Sequence, residues 1–342
     1  MGKVTAISAR QRIDWDALSD AVERVEITTA EYSAAMTKLE TCYKRARRRA
    51  KRNCAALLGE SHTGKTFVIE NFVAKHPPTR DENGLTCPVL WVEIPPKPEK
   101  AGFLALLLKA LGDQHAHRRA RIGELEERLI RFIRGCGVIL IILEEFQHVA
   151  DHPYEEVVDY ITNYLKTLIQ NERISIVISG LPHANATLLG NEQLRGRFSR
   201  PIYMRRLDWR SSSARRTYRA VLGLWQKGLE PFELPDLESE EMSFRFYLAS
   251  GGLMGYVAKI LRQAVQTAAE SRRTIVTLKD LAHAYDEEVH EHDVLFGNPF
   301  TIALDAKDIQ VDRLKEIGTK RPTTRRGHAK NGRVTGRREN PF

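Results

Sequence analysis

A chain of 342 residues has room for one large domain or two ordinary ones, and 42% apolar with 28% charged residues is the make-up of an ordinary globular protein. Four widely spaced cysteines (Cys42, Cys54, Cys87, Cys136) without a Cys-x-x-Cys pair exclude a disulfide framework or zinc ribbon, and no apolar run reaches bilayer length or resembles a signal peptide. A reducing, cytoplasmic setting without a membrane is expected. The net charge of +9 gathers at 44–52, at 118–121 and beyond 320, which points to polyanion partners, DNA or RNA first.

Residues 1–50 read as a polar, mostly helical extension ending in "KRARRRAKR" (Lys44–Arg52). Seven charges in those nine residues surround every face of a helix. A solvated helix end therefore fits as well as contact with DNA phosphates or a neighbouring subunit. From 51 to 208, short β-branched runs at 54–59, 88–94, 137–143, 174–179 and 201–204 alternate with helical stretches at 65–75, 102–112, 123–134 and 155–170. Strands this continuously apolar are buried on both faces, and their alternation with helices predicts an α/β core with a parallel sheet between helices. From 209 to 303 only helical signals remain, near 210–227, 238–250, 252–270 and 278–291, the last opened by "TLKD" (277–280). They predict a small all-helical domain. Residues 304–342 lose their apolar content and read as a disordered basic tail. The triplet "NPF" at 298–300 and 340–342 reads as chance recurrence.

Between the first predicted strand and helix lies "GESHTGKT" (Gly59–Thr66), a full match to G-x-x-x-x-G-K-[ST]. Backbone N–H groups across Gly59, Glu60, Ser61, His62, Thr63 and Gly64 would converge on phosphate oxygens at the positive end of a helix. Lys65 would reach the outer phosphates and the Thr66 hydroxyl would ligate Mg²⁺, so the loop predicts nucleoside triphosphate binding. "VILIILEEFQHV" (138–149) closes the strongest strand with Glu144 and Glu145. Two acids there can be a solvated strand end. Beside a phosphate loop, the first would hold Mg²⁺ through water and the second would orient or deprotonate an attacking water, making Glu145 the catalytic residue. His62, His115, His117, His148 and "HEHD" (290–293) lack metal-site spacing, and no serine or cysteine nucleophile constellation is present.

The phosphate loop, the acid pair followed by "FQH" (146–148), "ISIVISGLPHA" (174–184) and "LRGRFSRPI" (194–202) together resemble the AAA+ ATPases. Over roughly 30–300 the chain is similar to their TnsC/TniB group of transposition regulators, related to the phage Mu B protein; "VEIPPKPEKAGFLALLLKALG" (92–112) and "VLFGNPF" (294–300) share its character. The resemblance implies an AAA+ core with a five-stranded parallel sheet, a small helical lid, and ATP with Mg²⁺ as cofactors. It places Ser179 as the sensor between γ-phosphate and water, although a strand-terminal serine bonded to backbone is an equally good account. It puts the arginine finger, acting on the neighbouring subunit's ATP, at Arg197, with Arg195 second and Arg200 weaker. Two departures stand out. Glu144 replaces the usual Asp, and "GGLMGYVAKIL" (251–261) lacks the frequent arginine after Gly255, leaving Lys259 or Arg262 to substitute. DNA-facing loops would carry Lys97, Lys100, Arg118, Arg119 and Arg121, binding double-stranded DNA through its backbone without sequence preference.

The function implied is ATP-dependent assembly of a homo-oligomeric ring or filament on duplex DNA. That assembly would recruit or activate a transposase, together with a target-selection protein, and hydrolysis would dissolve it. A replication initiator or helicase loader, or a poorly hydrolysing nucleotide-gated DNA scaffold, are the alternatives.

Overall fold

The computed structural model describes Trp15, Leu18 and residues 20–48, 54–82, 84–118, 120–289 and 297–302. After a 3-10 turn (Ala21–Arg24), helix α1 (Ala30–Arg47) precedes strand β1 (Ala55–Gly59) and helix α2 (Lys65–Ala74). A hairpin of β2 (Thr79–Asp81) and β3 (Gly84–Thr86) leads to β4 (Val89–Glu93). Then come α3 (Lys100–Ala110), α4 (Ile122–Gly135), β5 (Leu140–Glu144), the one-turn α5 (Gln147–Ala150), α6 (Glu155–Asn171) and β6 (Ser175–Gly180). Two short helices, α7 (Ala184–Gly190) and α8 (Glu192–Arg195), precede β7 (Ile202–Met204). The chain continues with α9 (Ser212–Gly228), α10 (Glu240–Ser250), α11 (Met254–Glu270) and α12 (Leu278–Glu288).

All five predicted strands pair in one parallel sheet, ordered β4-β5-β6-β1-β7. Every residue of β1, β5 and β6 is buried, as their unbroken aliphatic runs require, whereas β4 and β7 at the edges keep some exposure. Alternation along the strands divides the core. Leu57, Leu140, Ile142 and Val177 meet Tyr32, Leu39, Ile69 and Phe72 of α1 and α2 on one face. Leu58, Ile141, Leu143 and Ile178 meet Phe103, Leu107, Leu129 and Leu165 of α3, α4 and α6 on the other. Phe72 and Phe103 are wholly buried; each such side chain contributes about 1.5–3 kcal/mol.

Helices α9 to α12 build a second core around Tyr218, Leu222, Phe246, Leu261 and Tyr285. Ser211, Ser239 and Thr277 cap three of these helices, and the predicted Thr-x-x-Asp start is a reciprocal capping box between Thr277 and Asp280. One finding differs from expectation. Ala21, Val22, Val25 and Ile27 of the N-terminal segment join this helical core, while α1 packs on the sheet, so the extension is divided between the two cores. The first "NPF" packs against the bundle: Phe300 meets the ring of Phe246 at 5.1 Å, and Asn298 donates to Ala282 O at 2.7 Å. The second "NPF", "HEHD", residues 294–296, Arg49 to Arg52, Arg119 and the basic tail lie outside the described residues. Among the described residues no helix is long and apolar enough to cross a membrane.

Candidate active site

Because β1 lies between β6 and β7, the loop that follows it emerges at the C-terminal edge of the sheet, where open parallel sheets bind their ligands. The loop folds tightly: His62 takes a φ of 63°, and the Thr63 hydroxyl donates to Glu60 O at 2.8 Å. Gly59 has no space for a side chain, since a Cβ there would stand 2.3 Å from Met204 O of β7. Helix α2 starts at Lys65 with no side-chain cap, leaving its first N–H groups directed at the loop. Lys65 is buried and donates Nζ to Gly59 O at 2.9 Å and Glu60 O at 2.8 Å. Burial draws its pKa down, while Glu145, Glu144 and Glu60 act in the opposite sense.

Glu144 ends β5 and is buried; one carboxylate oxygen accepts from the Thr66 hydroxyl and the other from Trp91 Nε1 at 3.0 Å. Burial pushes this carboxyl above its ordinary range, against both hydrogen bonds. The indole holds the longer glutamate in place of the customary aspartate. Thr66 and Glu144 thus bring two hard oxygen donors together, a set that fits Mg²⁺ completing its shell with water and phosphate oxygens. Among the described residues no three His, Cys, Asp or Glu cluster as a metal site of their own.

Glu145 follows with a left-handed φ of 57° and is half-buried. The turn it opens is tied down on three sides. Phe146 N donates to Ser179 O at 2.9 Å, Gln147 Nε2 donates to Glu145 Oε2 at 2.5 Å, and His148 Nδ1 lies 2.6 Å from Ile94 O. Ser179 pairs with Leu57 in the sheet and is fully buried, yet its hydroxyl has no hydrogen-bond partner among the described residues. The alternative of a serine bonded to backbone is not what the fold adopts. An unpartnered buried hydroxyl costs about 1–3 kcal/mol, and one at this edge fits a phosphate oxygen or a water.

A cavity of about 280 Å³ opens between the loop, α2 and the helical bundle, lined in part by Tyr32, Thr63, Gly64, Trp225, Lys259 and Arg262. Of the two cations considered for this region, Arg262 is paired with Glu23 at 2.7 Å, while Lys259 Nζ stands 5.8 Å from the ring of Tyr256. The loop is fastened to the bundle at two points. Arg206 clasps the Glu60 carboxylate and donates Nη1 to Gly251 O at 3.2 Å. His62 O accepts from Gly255 N at 2.8 Å, and its ring lies 4.6 Å from that of Tyr256. Trp91, Gln147 and Arg206 were not singled out from the sequence. Only Gln147, inside "FQH", stood within a recognised motif.

The finger candidates sit elsewhere. Arg197 is half-buried, its Nε has no partner among the described residues, and its carbonyl accepts from Cys54 N at 3.1 Å. Cys54 precedes β1 and Gly59 ends it, so five residues of extended chain, about 16 Å, separate Arg197 from its own loop. Arg195 is exposed, 3.9 Å from Glu192, and Arg200 is exposed as well.

Among the expected DNA contacts, Lys97 is exposed in the turn after β4, and Lys100 pairs with Glu156 at 3.6 Å. Arg118 and Arg121 are exposed before α4. Tyr160 bonds Glu126 at 2.6 Å, and Arg134 bonds Glu172 at 2.7 Å. Helices α4 and α6 therefore run side by side in the same direction. Since α6 starts just after the acid turn, Arg121 lies toward the same sheet edge as the loop. Lys44, Arg45, Arg47 and Arg48 are exposed around buried Ala46 in the last turn of α1.

The family model described as "Bacterial TniB protein" matches residues 21–207. No curated protein matches the sequence. In fold, the chain is similar to the Aeropyrum pernix ORC1 protein in complex with DNA, at 17% identity over 79% of this chain and 69% of that one, with a TM-score of 0.59. It is also similar to the Aeropyrum pernix ORC2 protein in its ADPNP-ADP complexes (14% identity, 80% and 73% covered, TM-score 0.56) and to Cdc6p from Pyrobaculum aerophilum (15%, 79% and 71%, 0.55). The sheet, its crossovers and the appended helices are those of an AAA+ ATPase.

Proposed function

The chain belongs to the bacterial TniB family, and from that premise we propose that it is an ATP-dependent, DNA-binding regulator of transposition that assembles on duplex DNA with ATP and comes apart on hydrolysis. The observation that carries the reading is the meeting of Lys65, Thr66, Glu144, Glu145 and the unpartnered Ser179 hydroxyl at one sheet edge. ATP with Mg²⁺ would supply the phosphoanhydride and positive charge to offset the negative charge that develops on it. The loop N–H groups and Lys65 hold phosphate oxygens, and Lys65 gives up the loop carbonyls to do so. Thr66 and Glu144 would hold the ion. Glu145 takes a proton from the attacking water, which Ser179 orients. The cavity beside Lys259 receives the nucleoside. Arg197, remote from its own loop, adds positive charge at the site of the next subunit in a head-to-tail assembly, which a ring or filament requires.

Lys97, Lys100, Arg118 and Arg121 form the DNA-facing set at this edge, and a transposase and a target-selection protein are the partners the assembly serves. The test is a charge-removal pair, Lys97→Ala/Lys100→Ala, read by DNA affinity across a salt series with ATP analogue present. The expected result is weaker binding to every sequence, with the slope of log affinity against log salt shallower by about one to two. An unchanged slope would remove both lysines from the DNA surface.

A further inference from the structure

Gln147 lies in the one-turn α5, buried, with both ends of its amide engaged. Its Nε2 donates to Glu145 Oε2 at 2.5 Å, and its Oε1 accepts from Leu181 N at 3.1 Å. Leu181 follows Gly180, the last residue of β6, and Ser179 stands one residue earlier. The amide thus joins the acid turn to the end of the strand that carries the sensor candidate. The approach depends on Gly180, where an added Cβ would stand 2.7 Å from Gln147 Oε1 and 3.3 Å from Gln147 N.

The geometry asks for glutamine. A carboxylate needs a donor and a backbone N–H needs an acceptor, and a primary amide supplies one of each at its tip. Glutamate at 147 would keep the acceptor and lose the donor; methionine would keep the length and lose both. Glu145 stands on a left-handed backbone that a non-glycine residue adopts only at a cost, so its side chain benefits from an external brace.

We infer that Gln147 is the positioning residue of hydrolysis, fixing the Glu145 carboxylate against the end of β6 so that the water-activating oxygen and the Ser179 hydroxyl keep one geometry. This rests on the reading of Glu145 as the base. It makes Gln147 matter to turnover and not to nucleotide binding, because the amide touches neither the loop nor Lys65. A misplacement of order 1 Å in a reacting group costs about 100-fold in rate.

The test compares Gln147→Glu, Gln147→Met and Gly180→Ala with the parent, and Glu145→Gln alongside. It measures kcat, KM, the Kd for a non-hydrolysable ATP analogue and Tm. Both Gln147 variants are expected to lose about 10- to 100-fold in kcat, with analogue Kd within about twofold of the parent. Gly180→Ala, which displaces the amide while leaving it in place chemically, is expected to follow them. Gln147→Glu retains size and the bond from Leu181 N but sets a second carboxylate against Glu145 in place of the donor, whereas Gln147→Met removes donor and acceptor without adding charge. Parental kcat in Gln147→Glu, or a loss that appears equally in analogue affinity and Tm, would overturn the inference. Parental turnover in Glu145→Gln would instead overturn the base assignment, and the inference with it.

Discussion

Replacing Glu145 with Gln is expected to lower ATP turnover by about 10²- to 10⁴-fold, the contribution of a positioned general base, while leaving nucleotide binding intact. The separation follows from the geometry. Lys65 is held by Gly59 and Glu60 carbonyls, and the ion-binding pair is Thr66 with Glu144, so the phosphate and metal contacts do not pass through Glu145. Glutamine is nearly the same size and keeps an oxygen that can accept from Gln147 Nε2, so the turn at residues 145–148 is preserved. Only the ability to take a proton is lost. Phosphate release read in the steady state, with analogue affinity beside it, gives the two numbers needed. The variant is also expected to form assemblies on DNA that outlast the parent's in the presence of ATP. Disassembly at the parental rate with turnover abolished would separate hydrolysis from release and sink that half of the account.

Arg197→Ala carries the second large effect: a loss of about 10³- to 10⁵-fold in turnover by the assembled protein, the range an arginine finger supplies. Because Arg197 is anchored beside Cys54, at the opposite end of β1 from the phosphate loop, the variant is expected to bind nucleotide as the parent does. A mixing experiment makes the trans action explicit. Arg197→Ala subunits keep Glu145, and Glu145→Gln subunits keep Arg197. Combining two inactive proteins should therefore restore turnover at interfaces that join the two sound halves. Restoration with Arg195→Ala but not with Arg197→Ala would move the finger to Arg195, which lies exposed at the end of α8. Parental turnover in both single variants would leave the site without a finger from either.

How much of this was legible beforehand depended on whether the signal was local. The five sheet strands and the long helices declared themselves because β1, β5 and β6 are buried on both faces and so are written as unbroken aliphatic runs. The hairpin of β2 and β3 did not, since its strands are three residues each and exposed or half-exposed, with no apolar run to read. The phosphate loop and acid pair are contiguous, and their residue types are dictated by the ligand. The braces around them are not contiguous. Trp91 reaches Glu144 across 53 residues, Gln147 reaches Leu181 across 34, and Arg206 reaches Glu60 across 146. A tryptophan in a strand, a glutamine after an acid pair and one arginine in "RRLDW" look ordinary until the fold brings their partners close. The same reason explains the N-terminal segment. Val22 and Val25 are unremarkable apolar residues, and only the tertiary structure sets them against a helical core almost two hundred residues later in the chain. Propensity carries no information about such pairings.

If the phosphate site governs assembly on DNA, negative-stain images of the purified protein on duplex DNA should differ between ATP or a non-hydrolysable analogue and ADP. Rings or filaments on DNA are expected in the triphosphate state and dispersed protein with ADP. Monomers under every condition would contradict it, because Arg197 would then have no neighbouring site to complete.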